Sequence, residues 1–445
     1  MTKSRPGLVF LAICLSGSVS LLAFSIDSPS IAASITDSGA AQFRLPKPAG
    51  QYGVGRVSYA LNDRSRPEPL AQKAGAQREV MVEVWYPAEA GVSEHSKTAP
   101  YLPGFDAAKT KMSLDDIKDL FSPATYTGSL PQTHTVEHAP IARGNRRFPL
   151  LVFSHGWGNP TFLYTAELEG IVSHGYIVAA VDHPYDTAFT QFPDGRIVLF
   201  AQKELDTASK RPNGYISYVR QRVEVMAEDN QFALTELLRY ANVKALHAPF
   251  FQRIDQTHIG VFGHSIGGLA SARTCQIDDR AKACMDQDSA DDRGSPFIAT
   301  DLKETERQPF LLFVAFSADV TSPRKTHPDD AALARMKISR PEYDAILQKQ
   351  RENQLNQLGS VPGGAYRVTV YDLPGFVHRS FSDLTLLGEP PDRDQSLHNF
   401  RVAETFTLAF FDKYLKGDQH TVLDTGQTPD LRAKVEKFSA SKASH

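Results

Sequence analysis

Gly263, Ser265 and Gly267 in the run VFGHSIGG have the spacing of a turn that presents a nucleophilic hydroxyl. In a G-x-S-x-G turn the serine joins a strand to a helix in strained backbone, and the small neighbours let the two elements approach closely. The apolar run HIGVFG ahead of it suits a strand buried on both faces. A glycine-rich loop with an incidental serine would carry the same letters, so the reading depends on partners elsewhere in the chain. A serine hydroxyl is a weak nucleophile at neutral pH and needs a histidine to take its proton and a carboxylate to orient that histidine.

The expected chain order is serine, acid, histidine. Of the 14 histidines, only those after the acid qualify, and His378 follows a strand end and a glycine-containing loop in VYDLPGFVHRSFSD. His398 falls inside a helical pattern and reads as structural, as does His420, while His264 is the variable position of the turn and points away from its neighbour. For the acid, Asp286 and Asp288 end one strand and Asp319 ends the next, and the residues alone leave the choice open. The run DQDSADD is not a calcium loop: Ala290, Asp291 and Phe297 stand at positions five, six and twelve, where a ligand, a glycine and a glutamate are required.

Ester hydrolysis puts negative charge on the former carbonyl oxygen, so two backbone N–H groups must already point at it. Ile266, after the nucleophile, is one expected donor. Trp157 in FSHGWGNP, between Gly156 and Gly158 at the end of an early strand, is the other. Such chemistry needs no metal or organic cofactor.

These residues need a scaffold that gathers strand ends. After REVMVEVWYP, an alternating pattern expected as a half-buried strand, the chain alternates strands (FPLLVFSHG, YIVAAVDHP, HIGVFGHS, AKACMDQD, FLLFVAFSAD, YRVTVYDLPG) with helices (TAELEGIVSHG, SYVRQRVEVMAEDNQFALTELLRYA, LASARTC, SLHNFRVAETFTLAFFDKYLKG). That rhythm predicts an α/β fold with a mostly parallel central sheet covered by helices on both faces and active residues at the carboxyl ends of strands. Residues 88–147, rich in Pro, Gly, Ser and Thr, read as an insertion or lid with one helical signal at SLDDIKDLF, capped by Ser113.

Across 445 residues, 48 Lys+Arg balance 51 Asp+Glu, which argues against a nucleic-acid partner or a polybasic membrane-binding surface. Lys3 and Arg5, then an apolar stretch, then small residues at Ser30 and Ala32 predict a secretory signal over residues 1–32; an uncleaved anchor is the competing reading. Removal of Cys14 with that segment leaves Cys275 and Cys284, whose proximity permits a disulfide. A flexible segment over residues 33–50, a catalytic domain over 51–420 and a tail over 421–445 complete the expected organisation.

The chain resembles the platelet-activating factor acetylhydrolases of the plasma and isoform II type and their bacterial relatives, a group of α/β-hydrolases. The likeness is carried in order by QYGVGRVSYALND, VEVWYP, PLLVFSHGWG, SHGYIVAAVDHPYDTA, VRQRVEVMAEDNQFAL, IDQTHIGVFGHSIGGLAS, DDRAKACMDQD and GFVHRSFSDLTLL. The resemblance implies an α/β-hydrolase fold, Ser265 as nucleophile, Asp288 as acid, His378 as base, and Trp157 and Ile266 as oxyanion donors. It also implies hydrolysis of short-acyl or oxidised phospholipids and similar small esters, with transient contact at a lipid surface; the expected secretory signal would make this a secreted or periplasmic protein. Residues 88–147 and 187–212, which should border the substrate, do not match the family's substrate-binding elements. A polyester, cutin-type or general carboxylesterase activity would use the same residues.

Overall fold

The apolar run FPLLVFS is buried along its whole length, and its side chains divide by parity: Leu151 and Phe153 enter one core, Phe148, Leu150 and Val152 the other. Such two-sided burial marks a central strand in a layered α/β fold. In a computed structural model that describes residues 44–112, 130–211, 214–243, 249–289, 307–316, 339–387 and 390–439, this strand lies within a ten-stranded sheet.

The strands of the main sheet are β1 (Gly53–Pro67), β2 (Gln77–Ala88), β3 (Thr135–Glu137), β4 (Phe148–Ser154), β5 (Ile177–Asp182), β8 (Ile254–His264), β9 (Ala283–Gln287), β10 (Phe310–Phe316), β11 (Ala365–Tyr371) and β12 (Ala433–Phe438); β6 (Phe189–Gln191) and β7 (Ile197–Leu199) form a separate ribbon. The spatial order is β12-β11-β10-β9-β8-β4-β5-β2-β1-β3. From β11 to β5 all pairings are parallel; β12, β2 and β1 join antiparallel, and β3 runs parallel to β1. Helices α1 (Thr165–Ser173) and α5 (Pro390–Leu415) contribute Leu168, Ile171, Phe406 and Phe410 to one core. Helices α2 (Gly214–Ala241) and α3 (Ile266–Ile277) contribute Met226, Leu234, Leu269 and Ala272 to the other, where Leu358 of α4 (Arg340–Ser360) also packs.

The structure departs from the sequence reading at several elements. Strand β2 is buried on both faces, its charged side chains included: Arg78 donates to the buried Asp229 of α2 and Glu68, and the buried Glu83 accepts from the Ser58 hydroxyl. Burial pushes the Glu83 carboxyl up to about 7. The expected flexible segment is packed from residue 44 onward, with Leu45 2% exposed in the core and its N–H on Gln132. The expected tail contains β12, which extends the sheet beyond residue 420 by pairing with β11. The described part of the insertion joins the core through Tyr101, Leu102 and Phe105; the Ser113 helical signal, the signal segment and Asp319 lie outside the described residues. Cys275 of α3 and Cys284 of β9 form a disulfide buried at both ends.

Candidate active site

Strand β8 ends at His264 and α3 begins at Ile266, so Ser265 alone makes the turn, with φ 58° and ψ −125°. A non-glycine residue held there costs about 1–3 kcal/mol, supplied by the surrounding fold. The turn closes only because its neighbours lack side chains. A Cβ on Gly263 would stand 2.4 Å from the Gly267 carbonyl oxygen, and one on Gly267 would stand 2.2 Å from that of Ser154. The Ser265 N–H donates to the Gln287 carbonyl at 2.9 Å, which ties the turn to β9.

Because β8 lies between β4 and β9, three adjacent parallel strands deliver Trp157, Ser265 and Asp288 at their carboxyl ends. Asp288 turns out of β9 with φ 60°, and its N–H donates to the Phe313 carbonyl at 2.7 Å. Its Oδ1 accepts the Ala315 N–H at 2.8 Å, which leaves Oδ2 to accept His378 Nδ1 at 2.7 Å. His378 opens a short 3-10 turn beyond β11, and its Nε2 lies 3.0 Å from Ser265 Oγ. The imidazole is 25% exposed and the carboxylate only 4%, so the carboxylate is shielded while the imidazole is reachable. Of the acids the residues left open, Asp286 points elsewhere and accepts the Ser289 N–H at 3.0 Å. His398 pairs with Asp430 at the surface, away from this chain of bonds.

Trp157 sits in the turn that follows β4. The Gly156 N–H before it donates to the Tyr164 hydroxyl at 2.8 Å, and the Gly158 N–H after it donates to the Asp186 carbonyl at 2.8 Å. Its indole Nε1 donates to Asp186 Oδ1 at 3.2 Å, and Arg222 clamps that carboxylate through Nε at 2.9 Å and Nη2 at 2.6 Å. Tyr218 stacks on the indole with centroids 6.1 Å apart, and Phe200 and Tyr215 flank it. Ile266 occupies the first helical position, where a backbone N–H has no intrahelical partner and the helix dipole favours negative charge.

Two residues beside the site escaped the sequence reading. Tyr164 is fully buried, and its hydroxyl lies 2.9 Å from His264 Nδ1. The His264 ring in turn packs 4.4 Å, centroid to centroid, from that of His378. Asp383, just beyond the His378 turn, accepts from the Tyr101 hydroxyl at 3.0 Å and from the Ala166 N–H at 3.1 Å; burial holds its carboxyl well above the usual range. Motif spacing could not have found Tyr164, since its partners come from segments a hundred residues apart. Asp383 sits in the quoted run FSDLTLL, but nothing in that run marks it as buried.

A sequence model of the family described as platelet-activating factor acetylhydrolase, isoform II, matches residues 38–390. A probable 1-alkyl-2-acetylglycerophosphocholine esterase from Arthroderma benhamiae is 27% identical over 267 residues, 58% of this chain and 62% of that protein. A platelet-activating factor acetylhydrolase from Canis lupus familiaris is 27% identical over 256 residues, 54% of this chain and 53% of that protein. The chain thus spans less than two thirds of the length of these relatives. Among solved structures, a ferulic acid esterase from Streptomyces cinnamoneus superposes with a TM-score of 0.61 and 25% identity, covering 90% of this chain and 100% of that one. With the parallel sheet and the serine turn between β8 and α3, these matches place the chain in the platelet-activating factor acetylhydrolase, isoform II family of α/β-hydrolases.

Proposed function

We propose that the protein is a serine carboxylic-ester hydrolase that cleaves short-acyl or oxidised phospholipid esters and similar small esters through an acyl-enzyme. The observation that carries this reading is the unbroken hydrogen-bond chain Ser265–His378–Asp288 on a strained strand-to-helix turn. In this mechanism His378 Nε2 takes the Ser265 proton as Oγ bonds to the ester carbonyl carbon, and the charge that develops on the carbonyl oxygen is met by the Trp157 and Ile266 amides. Collapse of the tetrahedral intermediate breaks the ester bond, with the His378 proton passing to the leaving alcohol. Water, deprotonated by the same imidazole, then releases the acid and frees Ser265. Asp288 holds the imidazole in the tautomer that accepts the proton.

The apolar N-terminal segment and the Cys275–Cys284 bridge support action outside the cytoplasm, where disulfides persist. A general carboxylesterase is a second reading. It is favoured by the half-buried aromatic surface of Phe200, Tyr215 and Tyr218 around Trp157, which suits aryl esters as well as acyl chains. Hydrolysis rates across p-nitrophenyl esters from acetate to palmitate, beside an acetylated ether phospholipid and methyl ferulate, separate the two. The phospholipid reading requires the ether phospholipid to be turned over with a kcat/KM at least equal to that of any p-nitrophenyl ester; a preference for ferulate overturns it.

A further inference from the structure

One hydroxyl joins the turn that carries Trp157 to the turn that carries Ser265. Tyr164 Oη accepts the Gly156 N–H at 2.8 Å and the Asn159 Nδ2 at 3.2 Å, and it lies 2.9 Å from His264 Nδ1. A phenol has one proton to give and two lone pairs to offer. With both lone pairs taken by Gly156 and Asn159, its proton goes to His264 Nδ1, which puts the His264 proton on Nε2. The residue is fully buried, so water does not compete for these bonds, and burial raises the phenol's pKa far beyond neutral pH.

The geometry around Trp157 gives this hub a consequence. Gly156 and Asn159 bracket the turn and both bond to the same oxygen; between them, Gly158 is tied to the Asp186 carbonyl, and the Asn159 N–H returns to the Gly156 carbonyl at 3.0 Å. The Trp157 peptide therefore cannot rotate without breaking a buried bond. On the other side His264 immediately precedes Ser265, and its ring also packs against Phe381 of the His378 turn. Tyr164 is thus bonded to the strand end that supplies one oxyanion amide and to the residue that precedes the nucleophile.

We infer that Tyr164 is a positioning residue for the oxyanion hole: its hydroxyl sets the Trp157 amide at the distance from Ser265 that the tetrahedral intermediate needs. This rests on the hydrolase reading above. A plain packing role for the ring is served equally by phenylalanine, since the contact with Phe153, 4.8 Å between centroids, needs no hydroxyl. The two roles therefore separate on Tyr164→Phe.

For that variant we expect kcat on p-nitrophenyl acetate to fall by roughly 10- to 100-fold while KM moves by less than about threefold, because a misplaced oxyanion donor weakens transition-state binding and leaves ground-state binding intact. The affinity of a trifluoromethyl ketone, which forms the tetrahedral adduct, should drop by the same factor. A kcat within about twofold of wild type, or a loss confined to KM, overturns the inference. If Tyr164→Phe does not fold, Asn159→Ala removes one bond to the same oxygen and should lower kcat several-fold; an unchanged kcat there overturns it equally. Organophosphonate labelling of the wild-type protein distinguishes the underlying reading. Attachment at a residue other than Ser265 refutes the hydrolase mechanism itself, whereas attachment at Ser265 with an unaffected Tyr164→Phe variant refutes only the role of Tyr164.

Discussion

Among the described residues two serine–histidine–aspartate sets are hydrogen-bonded in series, and they differ in exposure and in backbone. In the first, Ser265 Oγ, His378 and Asp288 are joined at 3.0 and 2.7 Å. In the second, Ser154 Oγ lies 3.1 Å from His183 Nε2, and His183 Nδ1 lies 2.9 Å from Asp229 Oδ2. By distance alone the two are close to equal. Ser154, His183 and Asp229 are all 0% exposed, however, and Ser154 sits in regular strand with its hydroxyl also 3.0 Å from Asn230 Oδ1. Asp229 is paired with Arg66 and Arg78; against the opposing effect of burial, the charge of Arg78 and the hydrogen bonds from His183 and Arg78 hold its carboxyl far below the usual carboxylate range. The second set is a buried polar network that joins β4, β5 and α2. What separates the Ser265 set is a part-exposed imidazole and a serine held in a strained turn.

The strongest way to break that comparison is to delete each serine. Ser265→Ala should lower kcat on p-nitrophenyl acetate by at least about a thousandfold with the fold intact, leaving only the contribution of the oxyanion hole and binding. Ser154→Ala should keep kcat within a few-fold and instead lower stability by about 1–3 kcal/mol, since it leaves buried partners unsatisfied. Circular dichroism and a thermal melt on both variants check the fold. A Ser154→Ala protein that is folded and inactive would show that the buried set takes part in the chemistry.

The two carboxylates should diverge in the same manner. Asp288→Asn should lower turnover roughly a thousandfold at near-normal stability, because the amide presents the wrong partner to His378 Nδ1. Asp229→Asn removes the anion between two arginines and a histidine, a change that typically costs about 3–5 kcal/mol, and its deficit should appear in the melting temperature. Asp319→Asn should cost much less activity than Asp288→Asn. If Asp319→Asn proves the more damaging in kcat, the acid belongs to the strand β10 end and the bond between Asp288 and His378 is not the functional one.

The comparison also marks what the sequence could reveal. The parallel strands were legible because each is a short apolar run buried on both faces, and the positions of Ser265, His378, Trp157 and Ile266 beside strand ends were legible because the expected mechanism looks for its candidates there. The acid was not, since Asp286 and Asp288 leave the same strand and only the backbone turn at Asp288 decides which carboxylate meets the imidazole. Helix α4 announced itself in Ser339-Arg340-Pro341-Glu342, a capping box with proline in its first turn, yet its polar face hid the periodicity. Strand β12 was read as tail because AKVEKF, at a sheet edge, carries as many charges as apolar residues. The Ser154 network was invisible for another reason: Arg78 and Asp229 stand 151 residues apart, and no local pattern signals that two charges will be buried together.

The smallest predicted effect tests the state of the buried base. Burial, and then the charge of Arg78, hold the His183 pKa below its ordinary value, although Asp229 and Asp186 pull the other way; the His155 ring packs 5.2 Å away and is itself lowered to about 3, chiefly by burial. Above about pH 6.5 neither the folded nor the unfolded chain protonates His183, so it adds no pH dependence. As pH falls below that value the unfolded chain binds a proton that the folded one refuses, and stability drops by up to about 1.4 kcal/mol per pH unit. His183→Gln lacks this term, so the stability advantage of wild type over the variant should shrink between about pH 7 and about pH 5, measured by denaturant melts at each pH. A gap that widens instead would mean that Asp229 keeps a proton on His183 in the native state. The buried set would then be an ion pair, with His183 donating to Ser154.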